Sequence, residues 1–203
     1  KVKTAVFKNI ERYLARKSNG IIAISNLQKK ELSQVHKIAP ADKTEVIPLG
    51  FDLQKFQNNY ELNRKKIRLK YDLDEESIAI CITGRLAPVK DHFFFLDVID
   101  DLAVQTSKKI KIFIVGDGEL RDDIKLRVKV LQEKGIDILM TSWILDIAEF
   151  NAGMDIMCLT SKNEGTPVSL IEAQASNLPV VSTDVGGVAD IVLENETGFI
   201  ISR

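Results

Sequence analysis

Short apolar runs of strand length recur along the chain and alternate with amphipathic stretches. Eight such runs are present, at 21–25, 44–48, 78–83, 111–115, 136–140, 155–159, 179–183 and 198–202. Six of them follow residue 77, and their apolarity is continuous rather than alternating. Because a strand buried on both faces reads as a continuous apolar run, the pattern is typical of a parallel sheet covered by helices.

Helical patterns fill the gaps between the later strands. They are predicted at 91–106, 119–133, 146–151 and 167–176, with a turn near 187–193. The alternation of strands and helices predicts an α/β fold with a doubly wound, Rossmann-like parallel sheet. Such sheets bind ligands beyond the carboxyl ends of their strands, where the strand order reverses. The residues directly after each strand are therefore the candidates for function.

The first fifty residues have a different organisation. A helix, a strand, a second helix and a second strand are predicted at about 4–18, 21–25, 27–36 and 44–48. Asn26 is the expected N-cap of the second helix. These elements are too few to bury a core alone, so residues 1–50 are expected to be the tail of another domain and 51–203 a domain of their own. Pro48 and Gly50 predict a hinge between the two.

The net charge of the chain does not indicate a function, but the charges are unevenly distributed along the sequence. The chain has 28 Lys and Arg against 29 Asp and Glu, so no net field would recruit nucleic acid. The first eighteen residues are basic, with Glu11 opposed to Lys1, Lys3, Lys8, Arg12, Arg16 and Lys17. A solvated helix face is the simpler interpretation, and contact with a membrane or with an acceptor is the alternative.

Cysteine and histidine usage favours a reducing cytoplasm without a metal site. Cys81 and Cys158 lie inside apolar strands and are expected in the core. His36 and His92 have no ligand spacing with a cysteine or carboxylate pair, so neither is assigned to a metal. No signal peptide and no apolar run long enough to span a bilayer is present. A cytoplasmic location is therefore expected, with the inner face of the membrane as the site of any peripheral contact.

The most informative stretch follows the strand at 155–159. Thr166 is a suitable N-cap and Pro167 a suitable first helical residue, so a helix is predicted to begin at about 167. Its free N–H groups and its positive dipole end would bind phosphate, and Gly165 lets a ligand approach the backbone. Glu164 and Glu172 would repel a phosphate and are better suited to accept from sugar hydroxyls. Taken singly, they could equally be a loop charge and a surface residue.

Two cations follow the strand at 78–83. Arg85 and Lys90 leave its carboxyl end, where a guanidinium fork and a point charge can bracket a pyrophosphate. Each charge-assisted contact of this kind contributes about 1.5 to 3 kcal/mol. Two solvated loop cations are the alternative.

Two glycine-containing turns follow other strands. The segment 115–120 begins like a dinucleotide fingerprint, but Arg121 stands where a third glycine is needed, so it predicts a tight turn that lines the nucleotide pocket and no dehydrogenase. The segment 182–187 predicts a structural turn, with Gly186 and Gly187 open to a ligand as the alternative. Trp143 is expected in the core or in a pocket wall.

The motifs GRLxxxK, VGDGxL, SxxEGxPxxxxEAxA and TDVGG, in this order and spacing, resemble the retaining glycosyltransferases of family 4, the glycosyl transferases group 1. The resemblance covers about residues 19–203. It implies a GT-B fold, in which the C-terminal Rossmann-like domain binds a nucleotide sugar and the N-terminal one binds the acceptor. The family's usual Asn and Gly are replaced here by Leu49 and Asp91.

The resemblance implies a role for each site residue. Arg85 and Lys90 would hold the donor diphosphate and stabilise it as it departs, Glu172 would bind the ribose hydroxyls, and Glu164 would contact the transferred sugar. Backbone amides would complete the phosphate site at Gly165, Thr166 and Val168. No metal or cofactor is implied beyond the donor substrate, a UDP-, GDP- or ADP-sugar.

The implied function is transfer of a sugar to a glycan or lipid-linked acceptor, in bacterial surface polysaccharide synthesis. The family's acceptor-side loop would precede Lys1 and its final helix would follow Arg203, so this chain alone is expected to bind nucleotide and to transfer poorly. Two alternatives remain: a GT-B nucleotide-sugar epimerase, and a non-catalytic nucleotide- or sugar-binding module.

Overall fold

The computed structural model describes residues 2–202, with side chains from residue 4 onward. The chain divides into two compact units, Lys1–Phe51 and Asp52–Arg203.

The first unit pairs two short parallel strands with one long helix. Its elements are α1 (Val2–Lys17), β1 (Ile21–Ala23), α2 (Asn26–Lys30), a π-helical turn (Glu31–Val35), a 3₁₀ turn (Ala41–Lys43) and β2 (Thr44–Val46). The predicted cap was wrong by one residue, because the Ser25 side chain accepts from the N–H of Gln28 and Asn26 is already helical.

The basic face of α1 is only partly solvated. Arg16 and Lys17 are exposed and Lys8 is half-buried, while Arg12 is also half-buried and donates to the carbonyl of His36 at 2.8 Å. Of the other basic residues in this segment, Lys1 and the side chain of Lys3 lie outside the described residues. No helix among residues 2–202 is long and apolar enough to cross a bilayer.

The second unit is built on a six-stranded, fully parallel sheet in the order β5-β4-β3-β6-β7-β8. The strands are β3 (Ile78–Thr83), β4 (Ile110–Val115), β5 (Asp137–Met140), β6 (Ile156–Leu159), β7 (Val180–Thr183) and β8 (Gly198–Ile201). The predicted α/β doubly wound fold is confirmed. Since the chain runs outward from β3 to β5 and then returns to β6, the strand order reverses between β3 and β6.

Helices cover both faces of this sheet. They are α3 (Gln54–Gln57), α4 (Tyr60–Lys70), α5 (His92–Gln105), α6 (Arg121–Glu133), α7 (Ile147–Ala152) and α8 (Val168–Ala175), with a 3₁₀ turn at Val188–Asp190. The first two were not predicted from the sequence. The reason is visible in α4, where Ile67 is the one helical residue that is buried, so the apolar stripe is too narrow to stand out.

Alternate residues of the central strands enter two separate cores. Cys81 and Phe113 pack on one face of the sheet, whereas Ile82 and Ile112 pack on the other. Because both faces are covered, the strands read as continuous apolar runs in the sequence. Cys81 is fully buried, and Cys158 is only partly buried at the second core, where burial raises its pKa to about 12.

Asp155 connects α4 to the sheet at the start of β6. Its carboxylate accepts from Arg64 at 2.7 Å, from Arg68 at 2.9 Å and from the N–H of Ala79 at 2.8 Å. Burial would raise the pKa of Asp155, but the hydrogen bonds from Ala79 and the two arginines outweigh burial, and the pKa is lowered. The stability that this carboxylate contributes is therefore present above its ordinary pKa and is lost in acid.

We expect Asp155→Ala to lower the free energy of unfolding of the full-length protein by about 2 to 3 kcal/mol, because two guanidinium groups and a strand N–H lose their acceptor. Urea denaturation followed by circular dichroism measures the change. The exposed Asp101 on α5 is the matched control, and Asp101→Ala should stay within about 0.5 kcal/mol of the wild type. Equal losses for the two variants would contradict the assignment.

Candidate active site at the reversal of strand order

The loops that follow β3 and β6 are joined by hydrogen bonds. The Thr160 hydroxyl donates to the carbonyls of Lys90 and Asp91, at 3.2 and 3.1 Å, and the N–H of Lys162 donates to the carbonyl of Val89 at 2.7 Å. β3 and β6 are neighbours in the sheet, so their carboxyl ends open on the same side. These hydrogen bonds join the loops after β3 and β6 into one continuous surface where the strand order reverses, and this surface is the wall of the candidate site.

This wall brings Lys90 and Glu164 together. The Lys90 Nζ lies 2.6 Å from Glu164 Oε1, and the Ser161 hydroxyl donates to the same oxygen at 2.5 Å. The aliphatic stem of Lys90 passes Gly84, where a Cβ would lie 3.7 Å from it. The side chain of Glu164 is only 9% exposed. A nearly buried carboxylate is therefore stabilised by one cation and one hydroxyl.

Asp91 occupies the position where the family's usual residue is glycine. Its backbone is left-handed, with φ 49° and ψ 52°, a conformation that an aspartate tolerates better than most side chains do. Its carboxylate lies 3.3 Å from the Nζ of Lys162. An aspartate therefore forms the left-handed turn that leads from Lys90 into α5.

The glycine turn after β7 packs directly against the Glu164 loop. Gly186 has φ 55°, and a Cβ built on it would overlap the backbone carbonyl of Glu164. The N–H of Gly187 donates to the carbonyl of Gly165 at 3.2 Å. Glycine is required here for close approach of two loops, which supports the predicted structural turn.

The helix α8 begins one residue later than predicted. Pro167 is the N-cap, without a side-chain capping bond, and Val168 is the first helical residue. Within residues 2–202, the N–H groups of Gly165, Thr166 and Val168 donate to no backbone carbonyl. A row of unpaired N–H groups at the positive end of a helix is suited to bind an anion.

Glu172 lies about one turn inside α8 and is half-buried. Burial raises its pKa, and the positive charge of Lys55 on α3 partly opposes the shift. Its carboxylate makes no hydrogen bond or ion pair within residues 2–202. A partly desolvated carboxylate without a donor is suited to accept from the hydroxyls of a ligand.

The structure pairs Arg85 with a different carboxylate from the one that Lys90 contacts. Arg85 is 69% exposed and lies 3.2 Å from Glu119, in the turn after β4. The turn after β4 packs closely against the Arg85 loop. A Cβ on Gly116 would overlap the carbonyl of Gly84, and the N–H of Leu86 donates to the carbonyl of Asp117 at 3.0 Å. Arg85 stays a predicted phosphate ligand, on an exposed side chain.

The position of Trp143 departs from expectation. Trp143 is 56% exposed, so a core position is wrong, and its ring lies 3.6 Å from where a Cβ of Gly116 would be.

The sequence pattern predicts no functional role for Ser161 and Thr183, although both are fully buried and the Thr183 hydroxyl donates to the Ser161 carbonyl at 2.7 Å. Their strand-end positions in SxxEG and TDVGG were the available signal.

His92 is a buried, neutral neighbour of this site. Neither of its nitrogens has a hydrogen-bond partner among the described residues, and its side chain is fully buried at the start of α5. Burial, assisted by the charge of Lys90, lowers its pKa to about 4. Acid must therefore charge His92 at the cost of folded stability, and this loss runs from about pH 6.5 downward.

We expect the free energy of unfolding to fall by about 2 kcal/mol more in the wild type than in His92→Leu when the pH is lowered from about 7 to about 5. The sign follows because the unfolded imidazole binds a proton in this range and the folded one does not. Chemical denaturation of the full-length protein at both pH values measures it. Parallel pH dependence in the two proteins would contradict the neutral, buried state of His92.

A comparison with family models identifies the family of the chain. The family model described as glycosyl transferases group 1 matches residues 63–203. The chain belongs to this family, and its larger unit has the Rossmann-like fold found in one half of the GT-B glycosyltransferases.

Relatives and solved structures extend the comparison over the whole chain. The "UDP-Gal:alpha-D-GlcNAc-diphosphoundecaprenol alpha-1,3-galactosyltransferase" of Escherichia coli is 30% identical over 200 residues, which cover 97% of this chain and 50% of that protein. The capsular polysaccharide biosynthesis glycosyltransferase CapM of Staphylococcus aureus is 27% identical over 205 residues, with 97% and 53% covered. The chain thus spans about half the length of these relatives.

Among solved structures, HepE of Anabaena in complex with UDP superposes with a TM-score of 0.80 at 20% identity, over 97% of this chain and 54% of that one. A glycosyltransferase from Rickettsia africae superposes with a TM-score of 0.79 at 23% identity, over 98% and 53%. These similarities establish the fold.

Proposed function

We propose that this chain supplies donor binding to a retaining glycosyltransferase, which moves a sugar from a nucleotide diphosphate to a glycan or lipid-linked acceptor in bacterial surface polysaccharide synthesis. The observation that carries the proposal is the convergence of Lys90 and the loop entering α8 at the reversal of strand order. Open α/β sheets bind their ligands at this point.

The diphosphate has a natural position against this wall. Lys90 provides a positive charge, and the N–H groups of Gly165, Thr166 and Val168 provide donors without a backbone partner in the described chain. Arg85 is exposed, and it would join them when the donor binds. Since the leaving nucleoside diphosphate gains negative charge as the sugar departs, these groups stabilise the transition state as well as the bound donor.

The two carboxylates are assigned to the hydroxyl groups of the donor. Glu172, half-buried and without a hydrogen-bond donor in the described chain, would accept from the ribose. Glu164 would accept from the transferred sugar, because it lies beside the cation that holds the phosphates. The charge on the leaving group is met by side chains and N–H groups, so the proposed mechanism includes no bound metal. Departure and attack on the same face, within an ion pair, would retain the anomeric configuration.

The names of the relatives support the donor and acceptor classes. The E. coli relative is named for UDP-Gal and a diphosphoundecaprenol-linked acceptor, and HepE was solved with UDP-glucose. A UDP-sugar is accordingly the first donor to test here, with GDP- and ADP-sugars next. In this proposal residues 51–203 bind the donor, residues 1–50 belong to the acceptor domain, and the protein works in the cytoplasm at the inner face of the membrane.

We expect one of UDP, GDP and ADP to raise the melting temperature of the full-length protein. Lys90→Ala should abolish most of that shift and Arg85→Ala should reduce it, because each removes a charge-assisted contact with phosphate worth about 1.5 to 3 kcal/mol. Differential scanning fluorimetry measures the shift. Lys125→Ala, on an exposed position of α6, removes the same charge elsewhere and should keep the full shift. No shift with any of the three nucleotides would refute donor binding.

We further expect Glu164→Ala to keep nucleotide binding and to lose sugar transfer by at least about a hundredfold, since the contact with the sugar strengthens in the transition state. Calorimetry with the nucleotide and radiolabelled transfer to lipid-linked acceptor in membranes measure the two effects separately. If Glu164→Ala retained both nucleotide binding and undiminished sugar transfer, Glu164 would have no role in contacting the sugar. The same pair of assays separates an enzyme from a binding module, because a module binds without transferring.

A further inference from the structure

The carboxylate of Glu164 is held by only one of its two oxygens. Oε1 accepts from Lys90 at 2.6 Å and from the Ser161 hydroxyl at 2.5 Å. Oε2 accepts no hydrogen bond within residues 2–202, and the side chain keeps 9% of its surface exposed. One oxygen is therefore fixed, and the other remains able to accept from a ligand.

Lys90 has two competing partners in this arrangement. In the donor-free state its ammonium neutralises Glu164, and its side chain is 24% exposed. A bound diphosphate carries more negative charge than one carboxylate and would draw the ammonium toward itself. Oε1 of Glu164 then loses its charged donor just when the sugar arrives.

The hydrogen bond from Ser161 to Glu164, unlike the contact from Lys90, would not be disrupted by a bound diphosphate. Ser161 is fully buried, it directly precedes the Glu164 loop, and its hydroxyl is committed to Oε1. Its backbone is fixed from the neighbouring strand, because the Thr183 hydroxyl at the end of β7 donates to the Ser161 carbonyl at 2.7 Å. Thr183 is itself fully buried. The connection therefore runs from the sheet through Thr183 and Ser161 to the carboxylate.

We propose that Ser161 is the positioning residue of Glu164, holding Oε1 once the diphosphate has engaged Lys90 so that Oε2 is presented to a hydroxyl of the transferred sugar. Thr183 positions Ser161 in turn. This inference rests on the proposed function and deepens it, since it separates recognition of the sugar from recognition of the nucleotide within one site.

The test compares two affinities in the full-length protein by isothermal titration. The probes are the best nucleoside diphosphate of the UDP, GDP and ADP panel and the tightest-binding sugar conjugate of that same nucleotide. Ser161→Ala should leave the affinity for the nucleoside diphosphate within about twofold and weaken binding of the nucleotide sugar about tenfold, as expected for loss of a hydrogen bond to a charged group. A purely structural defect would weaken both ligands alike.

A second pair of variants makes the test independent of Ser161 itself. Thr183→Val is nearly isosteric but lacks the hydroxyl, whereas Thr183→Ser keeps it. We expect Thr183→Val to reproduce the selective loss of sugar affinity and Thr183→Ser to bind as the wild type does. Ser107→Ala, at an exposed position before β4, is the control for serine removal and should change neither affinity.

Each outcome has one meaning. Selective loss in Ser161→Ala and Thr183→Val supports the inference. Wild-type affinity for the nucleotide sugar in Ser161→Ala, or an equal loss for both ligands in both hydroxyl-removing variants, overturns it and leaves the proposed function standing. A wild-type protein that binds none of the nucleotides or their sugars overturns the proposed function, and the inference with it.

Discussion

The topology of the parallel sheet is the constraint on which the site depends. Lys90 and Glu164 are separated by 74 residues, yet their charged atoms lie 2.6 Å apart because β3 and β6 are adjacent and open on the same side. Hydrogen bonds from Thr160 and Lys162 fix the two loops against each other. Strand order thus brings the charged groups of the candidate site together, and local hydrogen bonds fix their positions.

Within that frame, electrostatics acts locally. The chain carries a formal net charge of −1, so no long-range field draws an anionic donor. At the reversal point, Lys90 forms a partly buried ion pair with Glu164, and the Ser161 hydroxyl donates to the same carboxylate. In the proposed function, a bound diphosphate would compete with Glu164 for this cation. Glu172, inside α8, adds a second, partly desolvated carboxylate. In the proposed function, phosphate recognition accordingly falls to Lys90 and backbone N–H groups, and hydroxyl recognition to Glu164 and Glu172.

The sequence predicted this fold well where burial leaves a clear pattern, and less well elsewhere. All eight strands of the described residues were located, and in the central strands of the larger sheet this is because burial on both faces makes them continuously apolar. The helix α4 was not predicted because it buries only Ile67. It is attached to the sheet through polar contacts with Asp155, which is distant from α4 in the sequence.

The candidate site shows the same division. Lys90 and Glu164 follow strands and could be named from position, whereas no periodicity reveals the hydrogen bond that joins Thr183, at the end of β7, to Ser161. The exposure of Trp143 and the pairing of Arg85 with Glu119 likewise depend on three-dimensional neighbours.

A crystal structure of the full-length protein with its nucleoside diphosphate tests the central claim most directly. The account predicts electron density for the diphosphate between the Lys90 ammonium and the N–H groups of residues 165–168, with the Ser161 hydroxyl still on Glu164. Density for the nucleotide at another edge of the sheet, with Lys90 and Glu164 still paired and remote from it, would contradict the account.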